Sequence, residues 1–216
     1  MGKISNLLTR YKLLEEINSP INGKLTVEKD IALGTYIRAD GLTQSGSVAK
    51  IIWVHSLRKV KKTSLNPKNC LILGLGGGSI AQIITKFWPN TKIVGIDIDP
   101  IIVNLGKKYM GLDRLNVEIH IDDALNFINQ KPINHYDLIC VDTYQGDKFP
   151  EKFESIEFLK SIKKNLSQDG IIIFNRLYWG EKRPYAMRFL NKLEKVFKKV
   201  DVVYPEANIM FLCKKN

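Results

Sequence analysis

Residues 69–100 read NCLILGLGGGSIAQIITKFWPNTKIVGIDIDP. Cys70 to Leu73 is a short apolar run bounded by polar residues, which fits a strand buried on both faces better than a helix. Gly74, Gly76, Gly77 and Gly78 break it, and four glycines in five positions let the backbone take positive φ and approach a ligand with no Cβ in the way. Ser79 to Trp88 has helical periodicity, so the turn is expected to deliver free N–H groups at the front of a helix. A second buried strand, Lys92 to Ile96, ends on Asp97. An acid just beyond a second parallel strand, about 20 residues after a glycine turn, can accept both hydroxyls of a ribose. The unit reads as a nucleoside-binding βαβ. Ser79 stands where the dinucleotide fingerprint requires its third glycine.

Downstream, strands and helices alternate. Ile101 to Met110 is predicted as a helix with Pro100 in its first turn, and Val117 to Ile121 as a strand ending in Asp122-Asp123-Ala124, with a short helix to Ile128. Tyr136 to Val141 is a strand ending in Asp142-Thr143-Tyr144. After a helix over Ser155 to Leu166, Asp169-Gly170 is predicted to turn into a strand over Ile171 to Asn175. A helix over Pro184 to Lys198 precedes a closing antiparallel pair, Val200 to Tyr204 and Ile209 to Cys213. This order predicts an α/β fold, a Rossmann-like three-layer αβα sandwich with right-handed crossovers. The glycine turn, Asp97, Asp123 and Asp142 then share the carboxyl edge of the sheet, where such folds bind ligands.

Upstream, Ile4, Leu7, Leu8, Tyr11, Leu14 and Ile17 have helical spacing and predict an N-terminal amphipathic helix. Ser19 to Gly46 changes to short β-like runs with Asn22-Gly23 as a turn signal, and Ser47 to Lys61 is helical in pattern. A boundary near residue 65, in the polar linker around Pro67, divides residues 1–65 (helix, small antiparallel β appendage, linking helix) from a Rossmann-like domain over 66–216.

The 216 residues are 44% hydrophobic and 25% charged, an ordinary globular composition. No apolar run approaches the roughly 20 residues that span a bilayer, and the first residues lack a signal-peptide core, so no membrane partner and a cytoplasmic location are expected. Cys70, Cys140 and Cys213 sit in apolar runs without metal-ligand spacing, and His55, His120 and His135 are isolated, so no metal site is expected. The net charge of +11 is spread along the chain without interleaved aromatics, which does not favour a nucleic-acid partner.

With these elements placed, residues 36–175 resemble the spermidine synthase (polyamine aminopropyltransferase) family of the class I S-adenosylmethionine-dependent transferases. ADGLTQ at 39–44 is similar to that family's Asp-Gly-Gln strand motif, LILGLGGGSIA to its glycine motif, IVGIDIDP and IHIDDALNFI to its second- and third-strand motifs, and YDLICVDTYQGDKFP to its catalytic-strand motif. The resemblance implies a class I methyltransferase fold with a small N-terminal β-rich appendage. It also implies S-adenosylmethionine or its decarboxylated form as co-substrate, a small-molecule amine acceptor such as a polyamine, and assembly as a homodimer or homotetramer.

Residue by residue, the resemblance implies that Asp97 with Ile98 holds the ribose and that Asp123 and Ala124 meet the adenine. The turn from Gly74 through Gly76 to Gly78 passes the donor's tail, and Gln44 closes over the nucleoside. Asp142 orients and deprotonates the attacking amine, with Thr143 beside it. Against the family pattern, Gly77 replaces an aspartate that pairs with the donor's free ammonium, Gln145 replaces a second acid, and the Tyr-His-Glu segment after Gln44 is absent. The acceptor pocket is therefore expected to be rebuilt around Thr143, Tyr144, Gln145 and Asp147. Gly77 keeps a methyltransferase using intact S-adenosylmethionine as an alternative, and a non-catalytic nucleoside-binding module as another.

Overall fold

The computed structural model describes residues 11–130 and 135–215. Among these, β1 (Tyr11–Ser19), β2 (Gly23–Asp30), β3 (Gly34–Ala39) and β4 (Leu42–Ser45) form an antiparallel sheet in the order β1-β2-β3-β4. The chain continues through α1 (Ser47–Lys61), β5 (Asn69–Leu73), α2 (Ser79–Phe87), β6 (Lys92–Asp97), α3 (Pro100–Met110), β7 (Val117–Ile121), α4 (Ala124–Asn129) and β8 (Tyr136–Val141). It closes with α5 (Ile156–Lys164), β9 (Leu166–Leu177), α6 (Lys182–Val196), β10 (Lys199–Val203) and β11 (Asn208–Lys214). These strands make a second sheet in the order β10-β11-β9-β8-β5-β6-β7, in which β11 runs antiparallel to both neighbours.

The expected layering follows from the period-2 alternation of side chains across the sheet. Cys70 and Ile72 of β5, with Leu138 and Cys140 of β8, face a core filled by Trp53 and Leu57 of α1, Ile80 and Ile84 of α2 and Ile102 of α3. Leu71, Leu73, Ile139 and Val141 face the opposite core with Phe158 of α5, Phe189 of α6 and Phe211. All three cysteines are buried free thiols. No helix of the described residues is long and apolar enough to cross a membrane.

The N-terminal helix is not observed where it can be checked. Residues 4–10 lie outside the described residues, and Tyr11 to Ile17 belong to β1, paired along its length with β2 from Tyr11↔Asp30 to Ser19↔Gly23 with a bulge between Leu13 and Glu15. The apolar spacing that imitates a helix is overridden by a partner strand delivered by the Asn22-Gly23 turn. A smaller correction concerns β9, which starts at Leu166. Its register against β8 jumps from Tyr136↔Leu166 to Leu138↔Ile171, so Asp169-Gly170 is a bulge inside the strand.

The small sheet is anchored on Asp99, which is 0% exposed. Its carboxylate accepts Ser19 Oγ at 2.5 Å and Asn22 Nδ2 at 2.7 Å from the β1–β2 turn, and caps α3 through Ile101 N at 2.8 Å. Pro100 at the first position and Gly111 in the left-handed region past the end complete the limits of that helix. Asp99→Ala leaves the buried Ser19 hydroxyl and the half-buried Asn22 amide unmatched and α3 uncapped. The expected cost is about 3 kcal/mol, with about half of it for Asp99→Asn, which keeps one acceptor oxygen. Urea unfolding measures both, and a loss under about 0.5 kcal/mol for the alanine variant would refute the anchor, since such a change is ordinary for an indifferent surface site.

Candidate active site

Four strand ends meet on the carboxyl edge of the large sheet. The glycine turn follows β5, Asp97 ends β6, Asp122 and Asp123 follow β7, and Asp142 follows β8. Gly74 has φ +87°, and a Cβ there would lie 2.2 Å from the Asp142 carbonyl oxygen, so only glycine lets these two strand ends approach. With the small sheet and α1 as the opposite wall, they enclose a cavity of about 380 Å³, within the range of small-molecule sites.

The turn's N–H groups are not free as expected. Gly76 N donates to Asp97 Oδ2 at 2.6 Å and Gly77 N to Ser45 Oγ at 2.8 Å, while Gly46 N donates to Ser79 Oγ at 2.7 Å. The turn is thus spent on holding Asp97 and on docking the end of β4, and it offers no cradle for a pyrophosphate. Gly76 lines the cavity with Gly74, whereas Gly78, expected beside the donor's tail, caps α2 away from the lining and packs on Leu112. At Gly77 a Cβ would meet Met110 Sδ at 2.6 Å, Ile37 Cδ1 at 2.9 Å and Ser45 Cβ at 3.0 Å. The space for a side chain at 77 is filled.

Asp97 also accepts Asp99 N at 2.9 Å. Burial pushes its carboxyl up to about 6, against the pull of the Asp99 and Gly76 N–H groups. Ile98, Asp123 and Ala124 line the same end. Asp123 caps α4 through Leu125 N at 2.8 Å and pairs with Lys152. Burial raises that carboxyl, but Lys152 and the Leu125 N–H outweigh it and hold Asp123 below its ordinary value.

At the other end, Trp53 Nε1 donates to Asp142 Oδ2 at 2.7 Å and Asn175 Nδ2 to Asp142 Oδ1 at 2.8 Å. Asn208 Nδ2 holds Asn175 Oδ1 from behind at 2.7 Å. Burial lifts Asp142 to about 6, with the Asn175 and Trp53 hydrogen bonds pulling the other way. Sequence reasoning missed this clamp. Trp53 reads as a plain core aromatic, although a buried indole N–H wants an acceptor, and Asn175 is a polar residue near the end of β9, the strand beside β8.

Gln44 reaches from β4 across the cavity, its Nε2 donating to Gly146 O at 3.2 Å. Thr143, Tyr144 and Gln145 line the cavity, and the buried Tyr144 hydroxyl accepts Leu177 N at 2.7 Å. Asp147 departs from expectation. Gln145 and Lys148 pair through their backbones in a tight turn that points Asp147 at Lys182 Nζ, 2.6 Å away, and outside the lining. That hydrogen bond holds its carboxyl below the ordinary value.

Asp97 and Asp142 keep protons up to about 6 when folded, against 3.8 for an unshifted aspartate. Between these values the folded chain binds more protons than the unfolded one, so stability falls as pH rises through the window; Asp123 and Asp147, with lowered values, titrate below it. The thermal midpoint of the ligand-free chain is expected to be higher at pH about 5 than at pH about 7, and Asp142→Asn to flatten that slope. A midpoint that climbs across the window would contradict the buried-charge assignment.

Residues 53–210 match the Spermine/spermidine synthase domain. The polyamine aminopropyltransferase of Vibrio vulnificus is 30% identical over 131 residues, which are 57% of this chain and 44% of that protein. That of Clostridioides difficile is 26% identical over 182 residues, 82% of this chain and 62% of its own length. The chain thus spans between 44% and 62% of these two curated relatives. A spermidine synthase in complex with the transition state analogue AdoDATO superposes with a TM-score of 0.79 at 20% identity, covering 95% of this chain and 74% of that one. Human methyltransferase-like protein 13 in complex with SAH superposes with 0.62 at 23% identity, covering 77% and 79%. At such identities the structures share the fold, while the domain match extends over most of the sequence: the chain belongs to the spermine/spermidine synthase family.

Proposed function

We propose that the chain binds an S-adenosylmethionine-type sulfonium donor and transfers its aminopropyl group to an amine, with Asp142 as the base. The observation that carries this reading is the clamped, half-buried Asp142, which shares one cavity with the glycine turn and Asp97. The ribose hydroxyls donate to Asp97, the adenine lies along Ile98, Asp123 and Ala124, and Gln44 covers the nucleoside. A sulfonium carbon is already activated for displacement, so positioning and deprotonation of the nucleophile are what the chain must supply. Asp142, ionised above about 6, accepts the amine proton. The nitrogen attacks the donor carbon, the new C–N bond forms as the C–S bond breaks, and the electron pair leaves on sulfur as a neutral thioether. Trp53 and Asn175 are positioning residues that fix the orientation of the Asp142 carboxylate through one hydrogen bond to each oxygen.

A second reading, methyl transfer from intact S-adenosylmethionine, is favoured by Gly77. The site where an acid would meet the donor's ammonium is packed solid by Met110, Ile37 and Ser45, so nothing at 77 repels a donor carboxylate. Calorimetric titration separates the two readings. Tighter binding of decarboxylated S-adenosylmethionine supports aminopropyl transfer, tighter binding of the intact donor supports methyl transfer, and failure of both donors and of 5′-methylthioadenosine sinks both. Asp97→Ala is expected to weaken all three by at least about tenfold, the loss of a charged hydrogen-bond acceptor.

With turnover established, Asp142→Asn is expected to lower kcat by about 10² or more. Trp53→Phe removes a donor to the charged form, so the acidic limb of the rate profile moves alkaline from about 6 by about one unit. A limb that stays in place would show that Trp53 does not act through Asp142.

A further inference from the structure

We infer that the acceptor is an amine with a single cationic nitrogen on an apolar or aromatic body, and not an α,ω-diamine. This rests on the reading of Asp142 as the acceptor-side base, but holds whichever group the donor gives. All 22 acidic residues fall within the described chain, since residues 1–10 and 131–134 contain none. Their placement leaves the acceptor end one carboxylate. Asp147 is held outside the cavity by Lys182, and Glu154 is bound by Arg176 at 2.6 Å and Lys192 at 3.4 Å. Asp97, Asp122 and Asp123 lie at the far end, on β6 and β7, with β5 between them and β8.

The surroundings of Asp142 are built for a short cation and a greasy remainder. Its own partners are neutral, so its charge awaits a ligand, and Asn175 and Asn208 spend their amides on it and on each other. Beyond them the apolar lining is Val48, Ala49 and Ile52, which share one face of α1 with Trp53, and Leu177 and Trp179 past Asn175, and the polar lining at this end, Thr143, Tyr144 and Gln145, is uncharged. One ammonium meets Asp142 there. The second ammonium of a diamine would lie against these walls with no carboxylate to pair with and would lose part of its hydration there without compensation, whereas a methyl or phenyl terminus gains by the apolar contact.

The test uses the protein saturated with 5′-methylthioadenosine and compares pentylamine and 2-phenylethylamine with 1,5-diaminopentane by calorimetry. Both monoamines are expected to bind at least tenfold more tightly than the diamine. Trp179→Asp, at a position 43% exposed where a carboxylate is tolerated, is expected to shift the ratio toward the diamine by at least tenfold. Equal or tighter binding of the diamine to the unaltered chain overturns the inference, as does binding of none of the amines by protein that holds 5′-methylthioadenosine. If 5′-methylthioadenosine itself does not bind, the functional reading falls separately, and the same ranking on the free protein still decides the class of amine.

Discussion

The site depends on one contact between backbones. The Asp142 carbonyl occupies the place a side chain would take at residue 74, 2.2 Å from an ideal Cβ, and Asp142 N donates to Leu73 O at 2.8 Å. β5 is followed by β6 on one side while β8 lies on the other, so this is the switch point at which an open α/β sheet parts its loops and forms a crevice. The contact fixes the spacing between the half of the cavity that ends in Asp97 and the half that ends in Asp142. A residue with a Cβ at 74 would separate the strand ends and move both carboxylates.

The small N-terminal sheet completes that crevice. It is bound to the large unit through side chains that sit beside the site: Ser19 and Asn22 on Asp99, Ser45 on Gly77 N, and Gln44 on the Gly146 carbonyl. Leu25, Val27, Ile37 and Ala39 extend the same apolar core as α2 and α3. Docking of the sheet and formation of the cavity are therefore one event, because the wall holding Thr43 and Gln44 exists only when Asp99 and the glycine turn receive their partners.

What could be read from the sequence follows the range of the forces involved. The βαβ at 69–100, the alternation after it and the row of carboxyl-edge acids are local patterns, and the structure has them within a residue or two of their expected limits, except for β9, which starts five residues early at Leu166. Tyr11 to Ile17 misled because their spacing suits a helix in isolation and only β2 decides otherwise. The Asp142 clamp was illegible for a related reason. It joins residues 89 and 33 positions apart in the chain, and nothing local distinguishes Trp53 from a packing residue. Asp147 illustrates the reverse case, since its nearness in sequence to Asp142 suggested a shared site that the turn at Gly146, with φ +60°, points elsewhere.

Asp97 and Asp142 are held by the same device. Each is fixed by neutral donors, backbone N–H groups for Asp97 and an indole and an amide for Asp142. A lysine or arginine in either place would fix the carboxylate as firmly, but it would also neutralise it. The bases of this region are instead paired with other acids, Lys152 with Asp123, Arg176 with Glu154 and Lys182 with Asp147. Position and charge are thereby decoupled: the carboxylates are oriented before any ligand arrives and still lack a counter-ion. Ionising them in that state opposes folding, as their raised values near 6 record. On the proposed reading, a ligand that donated hydroxyls to one and brought a cation to the other would remove that opposition on binding, so part of its affinity would come from the electrostatic cost already present in the empty fold.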